Sequence, residues 1–251
     1  MNRDMNGGMN HDDALLRLEG VHTHIGAYHI LHGVDLHVPR GQLTMLLGRN
    51  GAGKTTTLRT IMGLWRASAG RITFQGQDIT AWPTPRIAQQ GVAYVPENMG
   101  IFADLTVKEN MLLAARGAQR ATQLDAARLQ WIFSLFPAVE KFWNWPAGKL
   151  SGGQKQMLAV SRAIAEPREL LIIDEPSKGL APAIINNMID AFQKLKESGV
   201  TILLVEQNIN FAKRLGDQVA VMDDGRVVHA GPMQALAQDE ALQQSLLGLS
   251  L

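Results

Sequence analysis

Gly48-Arg49-Asn50-Gly51-Ala52-Gly53-Lys54-Thr55 reads as a complete G-x-x-x-x-G-K-T pattern. That spacing suits the cradling of a polyphosphate. Its glycines let the backbone curl until amides point at phosphate oxygens, and a helix beginning at Lys54 would add free N–H groups and the positive end of its dipole. Lys54 supplies charge to the β- and γ-phosphates, the Thr55 hydroxyl is a ligand for the accompanying Mg²⁺, and Thr56 follows in the same turn.

A second pattern, Leu170-Leu171-Ile172-Ile173-Asp174-Glu175, is an apolar strand ending in two carboxylates. Both would lie at the carboxyl edge of a sheet, where open α/β sheets bind ligands. Asp174 is then expected to hold Mg²⁺ directly or through water, and Glu175 to orient or deprotonate the attacking water. Taken alone, Asp-Glu-Pro would serve equally as an acidic helix cap. The phosphate loop decides between the two.

A third pattern, Ser151-Gly152-Gly153-Gln154, precedes a helical stretch from Gln154 to Ala165. Its hydroxyl and bare amides would form another anion-binding helix start.

These residues need a frame. Leu43 to Leu47 is an apolar run ending at Gly48, and Leu58, Ile61 and Met62 then recur at helical spacing within Lys54 to Leu64, giving strand, glycine loop and helix. Further strands are expected at Gly91 to Val95, Leu170 to Ile173 and Val200 to Val205, with a helix around Ile184 to Lys196 making a βαβ unit of a mostly parallel sheet. Short β-type runs fill Leu15 to Val38, the pattern is helical from Leu105 to about Phe142, and a hairpin spans Val219 to Val228 with its turn at Asp224-Gly225.

Composition sets limits. The chain has 251 residues, 46% of them hydrophobic and 19% charged, enough to bury one large core. No run approaches the roughly 20 apolar residues of a membrane-spanning helix, so any membrane involvement requires a partner. A net charge of +1 provides no global field for nucleic acid, and no nucleic-acid partner is expected. With no cysteine, disulfides, thiolate metal sites and cysteine nucleophiles are excluded. Residues 1–13 are polar and rich in Gly, Asn and Met, the composition of a disordered tail.

Together the three patterns resemble the nucleotide-binding subunit of an ATP-binding cassette (ABC) transporter, over essentially all of residues 14–251. The resemblance implies a P-loop α/β fold with a mostly parallel core sheet, an N-terminal antiparallel β subdomain and a helical subdomain inserted at about 98–160. It implies ATP and Mg²⁺ as ligands and a head-to-tail dimer, in which Ser151 to Gln154 of one chain would meet the γ-phosphate held by Lys54 of the other. Glu175-Pro176-Ser177-Lys178-Gly179-Leu180-Ala181-Pro182, Leu204-Val205-Glu206-Gln207-Asn208 and Val95-Pro96-Glu97-Asn98 are similar to one branch, the importers of branched-chain amino acids, urea and short amides. That branch implies permease subunits, a sister ATPase, an extracytoplasmic solute-binding protein and a peripheral place on the cytoplasmic membrane face. A soluble ABC ATPase uncoupled from transport is the alternative. Such proteins usually fuse two cassettes or insert long coiled coils, which this chain does not.

Three positions depart from the wider family. Gln207 stands in place of a histidine; its amide can sense a γ-phosphate but cannot titrate. Glu97 replaces a Mg²⁺-touching glutamine, and its carboxylate suits a hard cation. Ile25 falls where the family stacks adenine on an aromatic ring, with His24 or Tyr28 as substitutes on opposite strand faces. His22 and His24 share one strand face, although no carboxylate completes a metal site beside them. Trp143 and Trp145 are expected to form a mini-core or to anchor a partner.

Overall fold

A computed structural model describes residues 14–119 and 124–248; the expected disordered tail at 1–13 lies outside them. The chain opens with β1 (Ala14–Ile25), β2 (Tyr28–Pro39), β3 (Leu43–Gly48), α1 (Lys54–Ile61), β4 (Ala67–Phe74), β5 (Gln77–Asp78), α2 (Thr84–Gln89) and β6 (Val92–Val95). Helices α3 (Val107–Gln119), α4 (Ala126–Leu135), α5 (Pro137–Lys141) and α6 (Gly152–Ala163) follow. Then come β7 (Leu170–Asp174), α7 (Pro182–Glu197), β8 (Thr201–Glu206), α8 (Ile209–Leu215), β9 (Gln218–Asp223), β10 (Arg226–Pro232), α9 (Met233–Gln238) and α10 (Glu240–Leu247).

The strands form two sheets. Six run in the order β10-β9-β3-β8-β7-β6, parallel except for the terminal β9–β10 hairpin, and four run antiparallel as β2-β1-β4-β5. The hairpin turns at Asp224 and Gly225, both at positive φ (42° and 71°), as a two-residue type I′ turn requires.

Alternation along the central strands sorts their side chains between two cores. Leu43, Met45, Leu47, Leu171, Ile173, Ile202 and Leu204 face the layer built with α3 to α8. Leu46, Leu170, Ile172, Leu203 and Val205 face the layer shared with α1 and the antiparallel sheet. A strand buried on both faces reads as a continuous apolar run, which is why β3, β7 and β8 were visible in the sequence.

The structure adds elements that local pattern did not indicate. β4 begins Ala-Ser-Ala-Gly-Arg with no alternation, and it is a strand because Leu16, Arg17, Leu18 and Glu19 of β1 pair with its Phe74, Thr73, Ile72 and Arg71. Pairing across the chain overrides weak propensity here. β7 and β8 also run one residue further than their apolar stretches, to Asp174 and Glu206, since Asp174 still pairs with Val205 and Glu206 with Leu47.

The tryptophans divide. Trp143 packs edge-on against Phe133 at 5.3 Å and lines the larger core, whereas Trp145 is 51% exposed. Their carbonyls accept the amides of Lys108 and Val107, two of the orphan donors at the start of α3.

Candidate active site

The phosphate loop joins β3 to α1 through Gly48, Gly51 and Gly53, all at positive φ (152°, 85° and 102°). A side chain at Gly48 would strike the Met222 carbonyl, while Gly51 faces open space. Gly225 in the hairpin turn braces the loop by donating its amide to the Ala52 carbonyl at 3.0 Å. Arg49 and Asn50 are exposed at the loop's outer bend, and Thr55 and Thr56 lie half-buried in the first turn of α1.

Lys54 is 5% exposed, and its Nζ donates to the carbonyls of Gly48 (2.9 Å) and Arg49 (3.1 Å). The same nitrogen lies 3.6 Å from Oε1 of Glu175. At the neighbouring strand end Asp174 is fully buried and accepts from the Thr55 hydroxyl (3.2 Å) and the Tyr94 hydroxyl (3.4 Å). Burial pushes the Asp174 carboxyl up, and the charges of Glu175 and Glu97 add to this while the Thr55 and Tyr94 hydrogen bonds oppose it. Burial and the Asp174 charge push the Tyr94 phenol up to about 12.

Glu175 sits at φ 48°, a left-handed conformation that a non-glycine residue adopts at a cost and that clusters at functional sites. Burial pushes its carboxyl up. The Gln207 and Lys178 hydrogen bonds and the Lys54 charge outweigh that and hold it below the usual range. Gln207 Nε2 donates to Glu175 Oε1 at 2.7 Å and to Asn50 Oδ1 at 2.6 Å, joining the β8 turn, the β7 end and the phosphate loop.

Glu97 is engaged by Lys178, whose Nζ lies 2.6 Å from Glu97 and 3.3 Å from Glu175 Oε2. Ser151 and Gln154 form a capping box at the start of α6, each side chain accepting the other's backbone amide. Ser151 and Gly152 are exposed, so this helix start faces outward. Ile25 ends β1 opposite Tyr28, which is 76% exposed. His24 is occupied otherwise, its ring stacked on His29 at 4.2 Å and its Nδ1 2.9 Å from the Ser68 hydroxyl.

The structure therefore brings Asn50, Lys54, Thr55, Asp174, Glu175 and Gln207 together, with Glu97 at their edge. Ser151 and Gln154 instead hydrogen-bond each other, and Ile25 stands at the end of β1 opposite Tyr28. Tyr94, Lys178 and Glu206 are further members that the pattern reading did not single out as site residues. Lys178 carried a signal in its position three residues after Glu175, whereas Tyr94 carried none, since its place beside Asp174 follows from the strand order.

Donor chemistry suits both expected ligands. A glycine loop open at Gly51, over a buried lysine, fits a polyphosphate. Thr55 and Asp174 offer only oxygens, the donor set of a hard divalent cation.

A family model described as "ABC transporter" matches residues 31–178. The high-affinity branched-chain amino acid transport ATP-binding protein BraG of Pseudomonas aeruginosa is 36% identical over 236 residues, covering 93% of this chain and all of that protein. A probable branched-chain amino acid transport ATP-binding protein, LivF of Archaeoglobus fulgidus, is 34% identical over 88% of this chain and 93% of its own length. Among solved structures, an ATP-binding subunit of an ABC transporter superposes with a TM-score of 0.77 at 30% identity, covering 93% of this chain and 96% of that one. The phosphate loop, the paired carboxylates and the Ser-Gly-Gly helix start, with a sequence likeness to such subunits over 93% of its length, make this chain a member of the ATP-binding subunit family of ABC transporters.

Proposed function

We propose that the chain hydrolyses ATP to power an importer of branched-chain amino acids or related small polar solutes such as urea and short amides. The observation that carries the ATPase reading is the placement of Glu175, 3.6 Å from buried Lys54 and 2.7 Å from the Gln207 amide. Branched-chain amino acids as cargo rest on the relatives BraG and LivF, and urea and short amides on the motif resemblance alone.

In the reaction a water oxygen bonds to the γ-phosphorus as the bond to the β–γ bridging oxygen breaks, and ADP leaves. Glu175, held ionised by Gln207, Lys178 and Lys54, orients that water and takes its proton. Lys54 and the loop amides bind the β- and γ-phosphates, while Gln207 reads the γ-phosphate through an amide already aimed at the loop. Thr55 and Asp174, with Glu97 beside them, would hold Mg²⁺, which when bound neutralises charge developing on the phosphates.

The outward-facing Ser151 to Gln154 helix start would complete the site of a partner ATPase in a head-to-tail dimer. Residues 98–160 would act as the helical unit that carries it. The assembly would include transmembrane permease subunits and an extracytoplasmic solute-binding protein, with this chain peripheral on the cytoplasmic face; among the described residues no helix is long and apolar enough to cross a membrane.

Uptake of labelled leucine, valine, urea and acetamide in cells lacking the chain tests this reading. Loss of uptake of one of these classes, restored by the wild-type chain, is expected. Unchanged uptake of all of them, together with failure of the tagged chain to retain any permease, would remove the importer.

A further inference from the structure

Glu206, the last residue of β8, is 2% exposed. A carboxylate so far from water needs donors around it. Three backbone amides reach it, and the Ser177 side chain adds a further hydrogen bond. Ser177 N donates to Oε1 at 2.9 Å, and Gln207 N and Asn208 N donate to Oε2 at 3.1 and 3.3 Å. The two oxygens divide between two segments. Ser177 lies two residues beyond Glu175 on the loop after β7, while Gln207 and Asn208 form the turn from β8 into α8.

Both segments carry groups of the hydrolytic arrangement. Pairing of Asp174 with Val205 aligns the strand ends, and the Glu175 amide adds one more bond to the Val205 carbonyl at 3.0 Å, after which the loop leaves the ladder before Ser177. The Glu206 carboxylate supplies a tie that the ladder does not, and the Glu175 to Gln207 hydrogen bond at 2.7 Å spans the same gap from the other side. An acceptor with two equivalent oxygens is what this position requires. A glutamine would satisfy one segment and present its own N–H₂ to the amides of the other.

We infer that Glu206 is a positioning residue for hydrolysis, its carboxylate clamping the loop that carries Glu175 to the turn that carries Gln207. The inference rests on the ATPase reading of the site. It separates turnover from binding, because the Lys54 contacts with Gly48 and Arg49 do not pass through Glu206.

Steady-state kinetics and ADP titrations on the purified full chain test it, using the wild type, Glu206→Gln, Glu206→Ala, Gln207→Ala and the Glu206→Gln/Gln207→Ala pair. Glu206→Gln is expected to lower kcat about tenfold or more while KM for ATP and ADP affinity stay within about twofold. In the Gln207→Ala background the same change is expected to cost about threefold or less, because groups that act as a unit are not additive. Should Glu206→Ala not fold, Glu206→Gln with wild-type ADP affinity still carries the comparison. Wild-type kcat in the Glu206 variants, or an equal loss in both backgrounds, would overturn the inference. Absence of Mg²⁺-dependent ATPase in the wild type would instead remove the proposed function.

Discussion

Gln207 and Glu175 meet at 2.7 Å, amide nitrogen to carboxylate oxygen, although 32 positions separate them in the chain. The contact orients the carboxylate without competing for a proton, since an amide cannot titrate. It also ties catalysis to the phosphate loop through the 2.6 Å bond from Gln207 to Asn50. Gln207→Ala should therefore lower kcat about tenfold with little change in KM for ATP, measured by steady-state ATPase. Unaltered turnover would remove Gln207 from the mechanism.

Asp174 predicts a trade between stability and function. Burial raises its carboxyl, so the folded chain holds that proton to higher pH than the unfolded chain does. The resulting penalty is absent below the unfolded value near pH 4, grows as pH rises from there towards the folded value, and is constant above it. Asp174→Asn should raise the melting temperature of the nucleotide-free chain at pH 7 by a few degrees and abolish Mg²⁺-dependent turnover. The stability gain should vanish on acidification towards about pH 4, which thermal melts across pH would follow.

Adjacent glycines in the Ser-Gly-Gly turn have separable roles. A Cβ at Gly153 would fall 2.6 Å from Ile184 Cγ2 on α7, whereas at Gly152 it would meet open space. Gly153→Ala should cost about 1–3 kcal/mol in denaturant unfolding, the range for overpacking. Gly152→Ala should unfold like the wild type and instead lower ATPase, because in the proposed head-to-tail dimer its bare backbone would be offered to a partner's nucleotide.

Base selectivity should be loose. Ile25 offers an aliphatic contact where a ring is expected, and His24 is committed to His29 and Ser68. GTP and ATP are predicted to turn over with kcat/KM within about tenfold of one another. A strong preference for ATP would point to a ring on the base, with exposed Tyr28 as the residue to substitute first.

Much of the site was legible because it is local. Gly48 to Thr55 and Asp174-Glu175 each combine a buried apolar run with the polar residues that end it, so period and chemistry coincide within a few positions. Gln207 was legible through the family resemblance, as the residue standing where a histidine is usual. What stayed hidden depends on the order of strands in the sheet. Only because β6, β7 and β8 are neighbours does Tyr94 reach Asp174 and does Glu206 reach the Ser177 amide. Lys178 between Glu97 and Glu175 likewise needed the loops after β6 and β7 side by side. β4 was silent for the same reason, its strand state coming from β1 rather than from its own alternation.

The most direct measurement is Mg²⁺-dependent ATP hydrolysis by the purified chain with and without Glu175→Gln, paired with an ATP-binding titration. The amide keeps the size of the side chain and removes the proton acceptor that faces Lys54 and Gln207. A fall in kcat of about a hundredfold or more with ATP affinity retained is the predicted result. Turnover within a few fold of the wild type would contradict Glu175 as the residue that activates water, and with it the account of this site.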